Sequence, residues 1–161
     1  MRYLIDGHNL IAALPDISLD DPHDEAKLVE KLRSFCVGRG AQCTVVFDNG
    51  LPGGRAPALS TTQVEVIFAG SNTNADRILQ ERICNQKDVR AMTVVSSDRE
   101  VRAAAARRRI AVLRNDEFAR LLARPAAATR PAPKALSDDD EKPRSSLADI
   151  NYWMEHFVRR K

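Results

Sequence analysis

Only three cysteines, Cys36, Cys43 and Cys84, occur among the 161 residues. The number is odd and no CxxC spacing is present, which argues against a disulfide framework and against a thiolate zinc site. Histidine is equally scarce: His8, His23 and His156 are scattered and form no HxxxH pair. No apolar run approaches the ~18 residues that a membrane helix requires. Near the N-terminus, Asp6 interrupts the stretch in which a signal peptide needs a continuous apolar core. The expected setting is therefore reducing and cytoplasmic, with no membrane.

An excess of one charge is also missing. Lys and Arg total 25 against 22 Asp and Glu, a net +3 that does not by itself announce a nucleic-acid binder. The distribution says more. Residues 1–30 carry two bases, Arg2 and Lys27, and seven acids, Asp6, Asp16, Asp20, Asp21, Asp24, Glu25 and Glu30, for a net −5. Residues 77–124 carry twelve bases and six acids, for a net +6. The small total averages over an acidic beginning and a basic later half.

What is present alternates in period. Strands are predicted at Tyr3–Asp6, Cys43–Phe47, Val64–Phe68, Met92–Val95 and Ile110–Leu113. Helices are predicted at 24–37, where Asp21-Pro22 gives a start signal and Gly38 and Gly40 a stop, and at 74–85, 99–108 and 115–123. The stretch 51–63 between the second and third strands reads as a loop. Strands separated by helices imply right-handed crossovers and a parallel sheet covered on both faces, a three-layer α/β domain over residues 1–124. The Pro-, Ala- and charge-rich stretch 125–146 reads as a linker. In 147–161, Leu147, Ile150, Met154, Phe157 and Val158 fall on one helical face, an amphipathic C-terminal helix that either packs back on the domain or docks a partner.

Four acids share one structural address. Asp6 and Asp48 end the first two strands, Asp98 follows the fourth, and Asp76 lies in the first turn of the helix after the third. In an open α/β sheet all four face the carboxyl ends of the strands, where ligands bind. Gathered carboxylates repel one another unless a cation neutralises them, and oxygen donors without thiolate or imidazole favour Mg²⁺ or Mn²⁺. Asn9 reaches the same mouth from the start of a short helix. Each acid taken singly also has a structural explanation: Asp98 as a helix N-cap, Asp76 as a complement to the helix dipole, Asp6-Gly7 and Asp48-Asn49-Gly50 as turns.

The segments YLIDGHNLI, VVFD, VEVIFAGSNTNAD and TVVSSDREV resemble the YacP-like branch of the NYN nucleases, relatives of PIN domains, over residues 1 to about 122. The resemblance implies a PIN-like parallel sheet of about five strands in the order 3-2-1-4-5 and a metal-dependent endoribonuclease. It implies Asp6, Asp76 and Asp98 as catalytic metal ligands, with Asp48 and Asn9 completing the shell, and RNA as partner; whether a ribosome or another RNA-processing complex presents the RNA stays open at this point. Two departures stand out. His8 occupies a position where Tyr is frequent in similar sequences, and serves either as a nucleic-acid contact or as an aromatic packed under the strand edge. Asp48 is followed by Asn49 rather than directly by Gly.

Because carboxylates repel phosphate, the substrate has to be held by nearby bases. Arg99 and Arg102 start the helix leaving the acidic edge, Arg77 adjoins Asp76, Ser97 precedes Asp98, and Arg55 lies in a loop able to close over a strand. Arg107, Arg108 and Arg109 lie at the opposite helix end and complement its dipole. The stretch Gly50–Arg55 lacks the GxxxxGK[ST] arrangement of a nucleotide-binding loop. Two other readings remain at this stage. One is a catalytically silent RNA-binding module of the same fold; the other is a small-molecule phosphohydrolase, which the absence of Asp-x-Asp after the first strand disfavours.

Overall fold

The computed structural model describes residues 1–49 and 53–124. The expected linker 125–146 and helix 147–161 lie outside the described residues. The elements run β1 (Arg2–Asp6), α1 (Gly7–Ala12), α2 (Asp24–Arg39), β2 (Gln42–Phe47), β3 (Gly54–Arg55), β4 (Val64–Phe68), α3 (Ala75–Asn85), β5 (Met92–Val95), α4 (Arg99–Arg107), β6 (Ala111–Leu113) and α5 (Asn115–Leu122), with a 3-10 turn at Val89–Ala91. They form one sheet ordered β3-β4-β2-β1-β5-β6. Every pair is parallel except β3 with β4. The predicted order 3-2-1-4-5 is thus observed as β4-β2-β1-β5-β6, with one antiparallel edge strand added.

Alternation along the strands divides the core. Ile5, Val45, Phe47 and Val66 point toward α1, α2 and α5, where they meet Leu10, Leu28, Leu32, Phe35 and Phe118. Leu4, Val46, Ile67 and Val94 point the other way, onto Leu79 and Ile83 of α3 and Val101 and Ala105 of α4. Both faces are buried, so the central strands read as continuous apolar runs, as parallel strands do. Each fully buried Leu, Ile or Phe side chain contributes about 1.5–3 kcal/mol of transfer free energy.

Two local expectations are corrected. Helix α2 runs through Gly38 and stops at Gly40, which adopts the left-handed conformation (φ 60°) while the Ala41 N–H closes on the Cys36 carbonyl. A glycine inside a helix costs about 1 kcal/mol relative to alanine but does not end it; the left-handed residue does. Within the stretch read as a loop, Gly54–Arg55 forms the edge strand β3, because Gly53 and Gly70 let two backbones approach. A Cβ on Gly53 would lie 2.3 Å from the Gly70 Cα.

The turn that leaves β1 has its own steric requirement. A Cβ on Gly7 would lie 2.3 Å from the Phe47 ring, so only glycine lets α1 start directly against the end of β2. Among the described residues no helix is long and apolar enough to cross a membrane.

Candidate active site

The sheet changes direction between β1 and β5, the switch point at which ligand crevices form in open α/β folds. Asp6 closes β1 there and is only 2% exposed. Its Oδ1 accepts from the Asn9 N–H at 3.4 Å, and its Oδ2 accepts from the Asn9 side-chain amide and, at 3.5 Å, from the Ser96 hydroxyl. Burial pushes the Asp6 carboxyl above its ordinary range, and the charge of Asp48 adds to this, whereas the Asn9 bonds oppose it. The same Ser96 oxygen accepts from the Asp98 N–H at 3.0 Å, so one buried hydroxyl ties the end of β1 to the start of α4.

Asp98 and Asp48 each spend an oxygen on a helix. Asp98 Oδ1 accepts from the N–H groups of Glu100 (2.8 Å) and Val101 (2.9 Å), the N-cap of α4 that the sequence suggests. Asp48 Oδ1 accepts from the Ala75 N–H at 2.7 Å, the first residue of α3, while Asn74 caps the Arg77 N–H at 2.9 Å. The Asp48 N–H itself donates to His8 Nδ1 at 3.3 Å.

Asp76, in the first turn of α3, is the electrostatic meeting point. Its carboxyl is pushed up to about 6, first by burial and then by the charges of Asp98, Asp6, Asp48 and Glu100. A first-turn carboxylate ordinarily gains from the helix dipole; here desolvation and four like charges outweigh that gain. The charges of the three other acids singled out in the sequence thus all reach Asp76, as does that of Glu100, which was not singled out. Among the described residues no group of three or more His, Cys, Asp or Glu side chains is arranged as a ready-made metal cage. Several carboxylate oxygens are held against protein donors by the helix caps and by the Asn9 and Ser96 bonds.

The remaining predicted residues separate into two groups. Asn9 holds Asp6. Ser97 Oγ accepts from the Asn115 N–H at 3.3 Å and thereby joins β5 to the start of α5. Arg77, Arg99 and Arg102 are exposed, the last two on the first turns of α4 beside Asp98. Arg55 is engaged in an ion pair. Its Nε lies 3.2 Å from Oε1 of Glu65, the second residue of β4, whose other oxygen takes Arg82 at 3.1 Å. Pairing with β4 places Arg55 opposite Ile67 in a strand and not in a loop, and its side chain runs back along β4 to Glu65. Arg108, at the far end of α4, donates to the Gln86 carbonyl at 2.6 Å.

Three contributors escaped the sequence reading. Glu100 lies two residues beyond Asp98 and was visible within Ser96–Glu100. Ser96 precedes the acid it helps to place. Asn115 begins α5 fully buried, and its Oδ1 has no hydrogen-bond partner among the described residues; a polar residue opening a helix reads simply as a cap, which hid it.

The sheet order β4-β2-β1-β5-β6 with acids at its switch point matches a PIN-like nuclease fold. The family model for the YacP-like NYN domain matches residues 3–154, and the chain belongs to that family. Two crystal structures of Rae1 (YacP) from Bacillus subtilis, one of them a tryptophan-to-leucine mutant, share the fold with TM-scores of 0.62 and 0.60. Each is 24% identical, with the match covering 76% of this chain and 74% of the other. No curated protein matches the chain.

Proposed function

We propose that the protein is a divalent-metal-dependent endoribonuclease that hydrolyses RNA to 5′-phosphate and 3′-hydroxyl ends. The observation that carries this reading is the Asp76 carboxyl, raised to about 6 by burial and by the surrounding acids. A carboxyl raised first by burial and then by four neighbouring acids fits a hard divalent cation, Mg²⁺ or Mn²⁺, which oxygen donors prefer. Asp6, Asp76 and Asp98 would hold the ion directly or through water, with Asp48 and Asn9 completing the shell. Such an ion supplies an activated water, charge compensation for the attacked phosphate, and stabilisation of the departing 3′ oxygen.

The chain's own groups have separate tasks. A carboxylate of the cluster that is not bound to the ion would accept the proton of the attacking water. Asn9 and Ser96 fix the orientation of Asp6, and the α4 cap fixes Asp98. Arg99, Arg102 and Arg77 offer exposed positive charge beside the acids, and phosphate contacts of this kind weaken steeply with salt.

Incubation of the full chain with mixed RNA substrates tests the reading. Cleavage is expected with Mg²⁺ or Mn²⁺, none with EDTA, and the new 5′ ends should carry phosphate. Undiminished cleavage in EDTA, or 2′,3′-cyclic phosphate ends, would overturn it. Salt-sensitive RNA binding without cleavage under any divalent condition would identify an RNA-binding module instead.

A further inference from the structure

We infer that His8 is a positioning residue that aims Asp48 at the acidic edge by accepting the Asp48 backbone N–H at Nδ1. The inference rests on the reading of that edge as a cation site and adds a residue that acts on it through another. Asp48 is the first residue beyond the ladder that holds β2. The register ends with Val46 opposite Asp6 on one side and Phe47 opposite Phe68 on the other. The Asp48 N–H therefore has no strand partner, and a part-buried N–H without one is costly. His8 Nδ1 fills that place at 3.3 Å. Immediately afterwards Asn49 turns the chain into the left-handed region, φ 63°. The direction of the Asp48 side chain is thus fixed at two points: its N–H by His8, and its Oδ1 by the Ala75 N–H at 2.7 Å.

The ring is held for this task from three sides. Gly7, without a Cβ, lets α1 begin against Phe47 and carries His8 to the end of β2. The imidazole meets the Phe47 ring edge-on, with centroids 5.2 Å apart. A neutral ring that accepts at Nδ1 carries its proton on Nε2, and that nitrogen lies 3.6 Å from Glu25 Oε1 on α2. A chain of contacts then leads from Glu25 through His8 and Asp48 to the first turn of α3, which bears Asp76. Neither sequence-level expectation for His8 includes this. The ring does pack against Phe47, but its polar atom is used on the backbone of another acid.

Two substitutions separate positioning from packing. His8→Phe keeps an aromatic ring against Phe47 and removes the acceptor. His8→Asn removes the ring and keeps an acceptor, Oδ1, near the place of Nδ1. Melting of the metal-free full-length protein and calorimetric titration with Mn²⁺ alone are to be measured for both. His8→Phe is expected to melt close to wild type yet bind Mn²⁺ roughly tenfold more weakly, as for other residues that orient metal ligands. His8→Asn is expected to melt lower yet bind Mn²⁺ within a few-fold of wild type. Faster amide hydrogen exchange at Asp48 in His8→Phe reports the lost bond independently of any metal. Mn²⁺ affinity that follows stability across the variants, or Asp48 exchange unchanged in His8→Phe, would overturn the inference. Wild-type protein that binds no Mn²⁺ while Asp48 exchange still accelerates in His8→Phe would overturn the cation-site reading itself, leaving only the backbone contact.

Discussion

Asp98→Asn and Asp6→Asn are each expected to yield a folded protein that has lost RNA cleavage by about three powers of ten. At Asp98 the reason is a division of labour between two oxygens. Oδ1 caps α4 through the Glu100 and Val101 N–H groups, and asparagine caps a helix as well as aspartate does. The substitution therefore preserves the cap and removes the charge. Asp98→Ala would remove both, costing about 1 kcal/mol of stability for the cap. At Asp6 the argument runs through burial. The carboxylate is 2% exposed and destabilised by desolvation, so a neutral amide relieves an unfavourable charge, which offsets the loss of one of the two acceptor oxygens that Asn9 uses. Charge stabilisation by a bound ion is worth several kcal/mol in the transition state, and each 1.36 kcal/mol is a factor of ten. Single-turnover cleavage and thermal melting are to be compared for both variants. Wild-type cleavage by either would remove that residue from the catalytic set.

The largest loss of stability is expected from Phe118→Ala, about 3–5 kcal/mol. Phe118 is fully buried where α5 crosses the sheet. Its ring lies 5.2 Å from those of both Tyr3 and Phe35, and these are 5.6 Å from each other. Removing it leaves a cavity bounded by two other aromatics, which are themselves anchored on β1 and α2 and have little freedom to collapse inward. Domains of this kind have a total stability of about 5–15 kcal/mol, so the variant would lose a large share of it. Phe118→Leu fills more of the space and is expected to cost less than half as much. Denaturant midpoints at constant slope measure both; a cost below 1 kcal/mol for alanine would show that this cluster is not a rigid part of the core.

Most of the fold was legible because the strands are short, apolar and β-branched and the helices between them are amphipathic. Observed strand bounds fall within one residue of those expected from the pattern. Gly38 misled because composition identifies a glycine but not its backbone angle, and only Gly40 has the left-handed conformation that stops α2. Strand β3 has no pattern to read: two residues, Gly54 and Arg55, pair by backbone alone, made possible by a distant glycine at 70. The ion pair of Arg55 was hidden for the same reason, since its partner Glu65 lies ten residues away across an unpredicted strand pair. The four acids were legible because each follows a strand or opens the helix after one. What was hidden is the contact between elements: Ser96 joining Asp6 to Asp98, and His8 holding Asp48 across forty residues of sequence.

On the proposed function, a divalent cation offsets the burial and the like charges that raise the carboxyls at the switch point. Asp76 reports it. Its folded carboxyl lies at about 6, against an ordinary value of 3.8. A raised carboxyl means that the folded state holds the proton more tightly than the unfolded chain. Metal-free stability should therefore fall as the pH rises from about 4 through about 6, and Mg²⁺ should reverse that fall. The direct measurement is the pH titration of the Asp76 carboxyl carbon by NMR, with and without saturating Mg²⁺. The account predicts a midpoint near 6 without metal that moves down into the ordinary carboxylate range or below when Mg²⁺ is added. A midpoint near 6 that Mg²⁺ leaves unchanged, or an ordinary midpoint in the metal-free protein, would contradict it.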